Sequence, residues 1–168
     1  MRLPNFEAQE PYPQVNVKEK NKEYAAMMLD NVGGIISEMS AVNSYLYNSV
    51  VSKSHGDLSE IFDKIAIVEM RHLKIFSSLA FQLGLDPRLW SVYKKRYKYW
   101  SGDLNQYHTN PVHMIKQSLQ DELKAADKYQ KQAEQIDDPD IKQCLCRIIA
   151  DEKLHAGIFE AMLKSINK

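Results

Sequence analysis

Glu69-Met70-Arg71-His72 and Glu152-Lys153-Leu154-His155 both place a glutamate one helical turn before a histidine. Apolar residues recur at spacings of three and four around each pair, which is typical of an amphipathic helix. A lone glutamate on an apolar helix face precedes each pair by a nearly equal interval, Glu38 before the first and Glu122 before the second. The chain therefore contains two similar halves of two helices each.

Aromatic residues extend the match between the halves. Tyr45 and Tyr129 each follow the lone glutamate by two turns, and Phe76 and Phe159 each follow the glutamate of the pair by two turns. Residues two turns apart share a helix face, so these rings accompany the carboxylates into the core. We expect the hydroxyls of Tyr45 and Tyr129 to bind a carboxylate or relay an electron, with packing alone as the alternative.

The predicted helices begin and end at recognisable signals. Asn110-Pro111 and Asp138-Pro139 each pair an N-cap residue with a proline at the first helical position, and Asp57 with Glu60 suggests a capping box. Gly84 supplies a stop signal. The pattern contains no convincing strand and predicts four long helices over residues 22–53, 57–83, 110–136 and 139–166.

The joins between these helices determine the topology. The first two helices and the last two are joined by only a few residues, so each pair must form an antiparallel hairpin. The middle join, about 84–109, is long enough to return along a helix of about 40 Å. We therefore predict an all-α fold, an antiparallel four-helix bundle with one long crossover and ferritin-like connectivity. Residues 22–168 would form this bundle, preceded by an extended N-terminal arm over residues 1–21.

Four carboxylates and two imidazoles would then meet in the core of the bundle. Burying each unpaired charge would cost several kcal/mol, against a total stability of about 5–15 kcal/mol. Two divalent cations would neutralise the four negative charges, with bridging glutamates and one terminal histidine on each ion. A single Glu-x-x-His is more often an exposed helical pair, but two such pairs with two lone glutamates favour a dinuclear metal site.

Three segments resemble known proteins. The segment from Asn31 to Glu38, continuing to Tyr45-Leu46, resembles the first helix of manganese catalases and related spore-coat proteins, whereas Glu122 to Tyr129 and Arg147 to His155 resemble rubrerythrins. The resemblance covers nearly everything after residue 20 and implies the ferritin-like superfamily of dinuclear carboxylate proteins, which bind two iron or manganese ions. It implies six metal ligands, namely Glu38, Glu69, His72, Glu122, Glu152 and His155.

Two departures from the rubrerythrin pattern bear on function. Ala125 stands where typical rubrerythrins have the second glutamate of a Glu-x-x-Glu motif. The sequence also has no rubredoxin-like pair of Cys-x-x-Cys motifs. We therefore expect any electrons to come from an external donor.

The surroundings of the ligands are a further expectation. Asp151 could accept the free N–H of His72 from the facing helix, or it could be an ordinary exposed acid. Val68 stands at the matching position of the first half. His155 would therefore need a different partner, and the two metal sites should not be equivalent. Gly33-Gly34 would either permit close helix packing or leave room for a small oxidant.

Composition excludes several classes of protein. The chain has 168 residues, 44% of them apolar, and 22 basic side chains balance 22 acidic ones, which fits one domain without overall attraction to nucleic acid or membranes. Apolar runs are too short to cross a bilayer, and the N-terminus lacks a signal-peptide core, so we expect a cytoplasmic protein. Residues 88–100 are basic and aromatic, and we expect them to contact the bundle and a second subunit rather than nucleic acid or membrane.

These features predict a di-iron or di-manganese oxidoreductase that acts on hydrogen peroxide or dioxygen. Its glutamates, Glu152 among them, would shift coordination and move protons. A ferroxidase that fills an iron store is the main alternative, and it would assemble into a closed cage rather than a homodimer or small oligomer. A hydroxylase or oxidase of an organic substrate is the third hypothesis, and it would need a pocket larger than peroxide requires.

Overall fold

The computed structural model describes residues 3–94 and 96–166. Its regular secondary structure consists of helices and one β-hairpin. Residues 1–2 and 167–168, at the ends of the predicted arm and bundle, and Lys95 of the basic crossover lie outside the described residues. In chain order the elements are α1 Lys22–Gly33, α2 Glu38–Val51, α3 Leu58–Gln82, β1 Trp90–Tyr93, β2 Arg96–Tyr99, a short 3-10 helix Gly102–Leu104, α4 Pro111–Gln135 and α5 Pro139–Ile166.

The helices form a bundle of four long rods. The first rod consists of α1 and α2, which both pack along α3, and α4 packs along α5. The antiparallel hairpins and the long crossover between α3 and α4 confirm the predicted ferritin-like bundle. No helix within residues 3–94 and 96–166 combines the length and apolarity needed to cross a bilayer.

Capping explains two of the helix starts. The Asn110 side chain accepts the backbone N–H groups of Val112 and His113, and the Asp138 side chain accepts those of Asp140 and Ile141, as predicted. The predicted capping box at Asp57 is wrong. Asp57 precedes α3 with helical backbone angles, and its side chain makes no capping hydrogen bond.

The prediction of one continuous helix over 22–53 is wrong at residues 34–37, where the chain leaves helical conformation between α1 and α2. Ser37 caps the new helix by accepting the backbone N–H of Ser40. Ile35, which a continuous helix would place on the same face as Glu38, is 71% exposed. A Cβ on Gly33 would lie 2.7 Å from the backbone nitrogen of Trp90, and one on Gly34 would collide with the Asp30 side chain. Both glycines therefore permit close packing.

The crossover contains two short antiparallel strands where the sequence predicted none. Trp90 pairs with Tyr99 across the hairpin, and Lys94 adopts the left-handed conformation in its turn. The Trp90 ring lies over Tyr97 and Tyr99, with centroids 4.4 and 5.3 Å apart. Aromatic cross-strand pairs of this kind stabilise a hairpin that is too short to show periodicity in sequence.

Two apolar clusters divide the interior of the bundle. One contains residues of α1, the second half of α3, the second half of α4 and the first half of α5, with Met28, Phe76 and Tyr129 among its members. The other contains residues of α2, the first half of α3, the start of α4 and the second half of α5, with Phe62 and Phe159 among its members. A buried polar layer lies between them.

Candidate metal centre

The polar layer contains all six residues expected to bind metal. Each is buried, and together they come from four helices: α2, α3, α4 and α5. The helical periodicity of the sequence brings them together, because each lies on the face of its helix that points into the bundle. The structure places in this layer Glu38, Glu69, His72, Glu122, Glu152 and His155.

These residues form two overlapping donor groups. In each group, one atom from every residue lies within 4.8 Å of the others. Glu69 and Glu152 belong to both groups. Glu38 and His72 complete the first group, whereas Glu122 and His155 complete the second. The arrangement suits two adjacent cations with the shared carboxylates between them.

Both histidines direct Nδ1 towards the carboxylates. His72 Nδ1 lies 3.1 Å from an oxygen of Glu69 and 3.1 Å from an oxygen of Glu152. His155 Nδ1 lies 2.9 Å from Glu69 Oε1, in a geometry that makes no hydrogen bond. The same ring nitrogen is therefore available for a metal in both groups.

The opposite ring nitrogens have different partners. His72 Nε2 lies 3.0 Å from Asp151 Oδ2, which is buried rather than exposed. His155 Nε2 lies 2.9 Å from the carbonyl oxygen of Phe6. Because a carbonyl only accepts, His155 Nε2 must carry a proton, and in the neutral ring the Nδ1 lone pair is then free. Val68, which matches Asp151 in the first half, is buried and apolar, so the two donor groups have unequal surroundings.

The N-terminal arm supplies contacts that sequence reasoning missed. The hydroxyl of Tyr12 donates to Asp151 Oδ2 at 2.6 Å, and the backbone N–H of Ala8 donates to Asp151 Oδ1 at 2.7 Å. Arg147 donates to the carbonyl oxygens of Ala8 and Glu10. The prolines of the arm indicate an extended chain, but no sequence spacing relates the arm to α5.

Two tyrosines bind carboxylates across the bundle. The Tyr129 hydroxyl, on α4, donates to Glu38 Oε1 at 2.5 Å, and the Tyr45 hydroxyl, on α2, donates to Glu122 Oε1. Phe76 packs against Tyr129 with ring centroids 5.0 Å apart, and Phe159 lies 5.9 Å from Tyr45. The equivalent positions in the two halves therefore make equivalent contacts.

The charge of this layer fits bound cations. Burial raises the pKa of Glu38 from 4.5 to about 8, and burial together with Glu69, Glu122 and Glu38 raises the pKa of Glu152 well above its usual value. Among the six candidate ligands, all of which the structure describes, three buried atoms have no hydrogen-bond partner: Glu69 Oε1, Glu152 Oε1 and His155 Nδ1. Bound cations would neutralise the charge of the carboxylates, and these three atoms would coordinate the cations. Carboxylates with two imidazoles form a donor set that iron and manganese both accept.

A cavity of about 330 Å³ reaches all four glutamates. It lies between α2 and α4, and the exposed side chains of Gln106, Asp121 and Lys124 line its outer part, so it connects the polar layer with the surface. Its wall is partly polar, through Ser37, Ser40, Ser44, Asn48 and Ser118. A small oxidant could therefore reach the candidate metal positions from this side.

Comparisons with known proteins agree with the fold. The chain is similar to the crystal structure of KatB, a manganese catalase from Anabaena PCC7120, with 22% identity and a TM-score of 0.85, over 98% of this chain and 82% of that chain. A structure of wild-type KatB matches with 22% identity and a TM-score of 0.83 over the same shares. No curated protein matches the chain. The family model described as Rubrerythrin matches residues 32–167, and the chain therefore belongs to the rubrerythrin family.

Proposed function

We propose that this chain is a dinuclear iron or manganese oxidoreductase that acts on hydrogen peroxide, with dioxygen as the other possible oxidant. The observation that carries the proposal is the pair of buried donor groups that share Glu69 and Glu152. Membership in the rubrerythrin family supports it. The fold shared with a protein described as a manganese catalase is consistent with it.

Each of the six residues has a role in holding the cations. Glu69 and Glu152 would bridge them, Glu38 and His72 would complete one coordination shell, and Glu122 and His155 would complete the other. When bound, two adjacent redox-active ions supply one-electron changes on both sides of an O–O bond. Asp151 and the Phe6 carbonyl orient the two imidazoles for this purpose.

Tyr45 and Tyr129 act on the carboxylates that are not shared. Tyr45 donates a hydrogen bond to Glu122 Oε1, and Tyr129 donates one to Glu38 Oε1, so each hydroxyl would hold its carboxylate in position for a cation. Glu152 lines the cavity and is our candidate for accepting a proton from bound peroxide. The apolar clusters exclude bulk water from the two ends of the layer, so access is from the side of the cavity.

The cavity favours one second candidate function. A volume of about 330 Å³ exceeds the space that peroxide needs, since one water molecule occupies about 30 Å³ in the liquid. An oxidase or hydroxylase of a small organic substrate would use this extra space. The same donor groups would serve either reaction. The two candidate functions therefore differ in whether a small organic substrate is consumed together with the oxidant.

Sustained peroxide consumption tests the proposal directly. The protein should be loaded separately with iron and with manganese, and hydrogen peroxide loss should be followed with and without a one-electron reductant. We expect many turnovers in at least one of these conditions. Dependence on the reductant would indicate a peroxidase with an external donor, whereas oxygen release without it would indicate a catalase. Only a single turnover in every condition would contradict the proposal and favour iron oxidation or organic oxidation.

The native mass of the purified protein separates the proposal from iron storage. We propose a homodimer or a small oligomer, because the function needs no storage volume. Measurement by light scattering under the conditions of the assay would give the assembly. A closed cage that accumulates a ferric mineral would instead support the ferroxidase hypothesis.

Bound metal should raise the melting temperature, and this stabilisation should grow with pH. In the metal-free protein burial raises the pKa of Glu38 from its ordinary value of 4.5 to about 8, so its protonation stabilises the fold at low pH. That contribution is lost as the pH rises through about 8. The pKa values of His72 and His155 are also raised, because the surrounding carboxylates outweigh the opposing effect of burial, and they act in the same direction.

Calorimetry at about pH 6 and about pH 8.5, with and without metal, would measure this difference. The lowered pKa of Glu69 contributes nothing across this interval, because both its folded and unfolded forms are already ionised there. Cation binding requires deprotonated ligands, so the metal-loaded protein should not share the loss at high pH. Equal melting temperatures with and without metal at the higher pH would contradict the prediction.

A further inference from the structure

Lys128 on α4 lies against the non-helical segment that separates α1 from α2. Its ammonium group donates to the carbonyl oxygen of Ile36 at 2.6 Å and to the carbonyl oxygen of Asp30 at 3.1 Å. It also forms an ion pair with Asp30 Oδ2 at 2.6 Å. Only 17% of the Lys128 side chain is exposed. One lysine thus contacts the end of α1 and the residue before the N-cap of α2.

Residues 34–37 lie between two cavities. Ile35 is exposed, and Ile35 and Ile36 line both the cavity beside the glutamates and a second cavity of about 560 Å³. Lys128 itself lines the second cavity. With cavities on two sides, the hydrogen bond from Lys128 to the Ile36 carbonyl connects the segment directly to α4.

The segment leads directly to a candidate metal ligand. Ser37 is the N-cap of α2, and Glu38 is the first residue of that helix. The neighbour of Lys128 on α4 is Tyr129, whose hydroxyl donates to Glu38 Oε1. Consecutive residues of α4 therefore contact both the backbone that leads into α2 and the carboxylate of its first residue.

We propose that Lys128 is a positioning residue that holds the start of α2 so that Glu38 reaches its cation. This inference rests on the proposed function, because it assigns Glu38 to one member of a metal pair. Nothing in the spacing of the ligands predicts it. In this role Lys128 contacts the backbone of the segment and does not contact the metal.

If Lys128 acted only through its charge, its removal would change the affinity for cations in the opposite direction. Lys128 carries a positive charge near a site for cations, so removal of that charge alone would strengthen cation binding. Removal of a contact that positions a ligand weakens it instead, and groups that orient metal ligands typically account for about 10- to 100-fold in affinity. The direction of the change in affinity therefore distinguishes the two roles.

The experiment compares Lys128→Met with Lys131→Met. Lys131 lies one turn later on α4 and forms an exposed ion pair with Asp127 at 2.6 Å, so it controls for loss of a lysine from this helix. Lys128→Arg restores the charge and the donors. Mn²⁺ affinity and stoichiometry should be measured by equilibrium dialysis, and amide hydrogen exchange of residues 34–42 should be measured in the metal-free proteins.

We expect Lys128→Met to weaken one of the two Mn²⁺ sites by about 10-fold or more and to accelerate exchange in residues 34–42. Lys131→Met should change neither quantity, and Lys128→Arg should recover most of both. Lys128→Gln, which keeps one donor, should show a smaller effect of the same sign and serves if the methionine variant does not fold.

Unchanged or tighter Mn²⁺ binding in a folded Lys128→Met protein would overturn the inference. So would unchanged amide exchange over residues 34–42. Failure of the wild type to bind two Mn²⁺ ions would instead refute the metal pair of the proposed function. Hydrogen exchange would still decide in that case whether Lys128 holds the start of α2, because it needs no metal.

Discussion

Replacement of Glu152 by glutamine is expected to lower peroxide consumption at least about 100-fold, the loss typical of a positioned acid–base group. Glu152 belongs to both donor groups and lines the cavity through which peroxide would arrive. Glutamine has nearly the same volume, so much of the fold should remain. The substitution removes one ligand charge and the proposed proton acceptor, and the loss would be larger if a metal ion dissociates.

Glu160→Gln is the matched control for this variant. It makes the same chemical change on α5, but Glu160 is exposed and pairs with Lys164. Peroxide consumption should be measured at equal metal content, with circular dichroism to check the fold. A metal-loaded Glu152→Gln protein with wild-type turnover would refute the role of this carboxylate. Slower Fe²⁺ oxidation by the variant, with little steady peroxide turnover in the wild type, would point to iron storage.

The four-helix bundle and the clustering of the six candidate ligands could be predicted because the spacing of apolar residues within each helix shows which of its faces is buried. Glu69 and His72 lie on one face of α3, and the surrounding apolar residues show that this face is buried whatever packs against it. The approximate repeat then relates the two halves without knowledge of any contact between them. The prediction needed only periodicity within helices and the lengths of the connections.

The break between α1 and α2 could not be predicted in this way. Apolar spacing continues through residues 34–37, and Gly33-Gly34 alone lowers helix stability by only about 2 kcal/mol. Lys128 and Trp90 contact the chain at this break, and both residues are distant in sequence. Tertiary contacts here override a local helical pattern.

The N-terminal arm illustrates the same limit at the candidate site. Local sequence indicates an extended chain, but an extended chain can lie anywhere on a bundle. The carbonyl of Phe6 and the hydroxyl of Tyr12 reach the two histidines where the arm lies on the bundle, and Arg147 and Asp151 bind the arm there. Every residue has a backbone carbonyl, so the sequence does not indicate that the carbonyl oxygen of Phe6 is the partner of His155.

The contacts of Arg147 make it the residue whose loss should destabilise the arm most. Its guanidinium forms a buried ion pair with Asp151 Oδ2 at 2.5 Å and donates through Nε to the carbonyl of Glu10 at 2.5 Å. It also lies over the Tyr12 ring, 4.0 Å from the centroid. Asp151 remains ionised in this setting, since its hydrogen bonds to His72 and Arg147 outweigh burial and lower its pKa.

Arg147→Gln is expected to lower the free energy of unfolding by about 3–5 kcal/mol, the usual cost of removing one partner of a buried ion pair. Glutamine is too short to bind Asp151 and the arm together, so the buried Asp151 carboxylate loses its guanidinium partner. The two side chains are only 5% and 0% exposed, so solvent screening does not reduce this figure appreciably. Against a total of about 5–15 kcal/mol, the loss would be easily measured.

Arg71→Gln is the matched control, because Arg71 also binds the arm and lies 4.9 Å from the centre of the Tyr12 ring. Its ion pair with Glu7 has side chains 47% and 36% exposed, and exposed pairs contribute at most about 1 kcal/mol. Urea denaturation of both metal-free variants would give the two free energies. Equal effects of the two substitutions would mean that the arm is held by its exposed contacts. A large difference would instead show that the buried Arg147–Asp151 pair connects the arm to α5 and thereby supports the hydrogen bonds that orient both histidines.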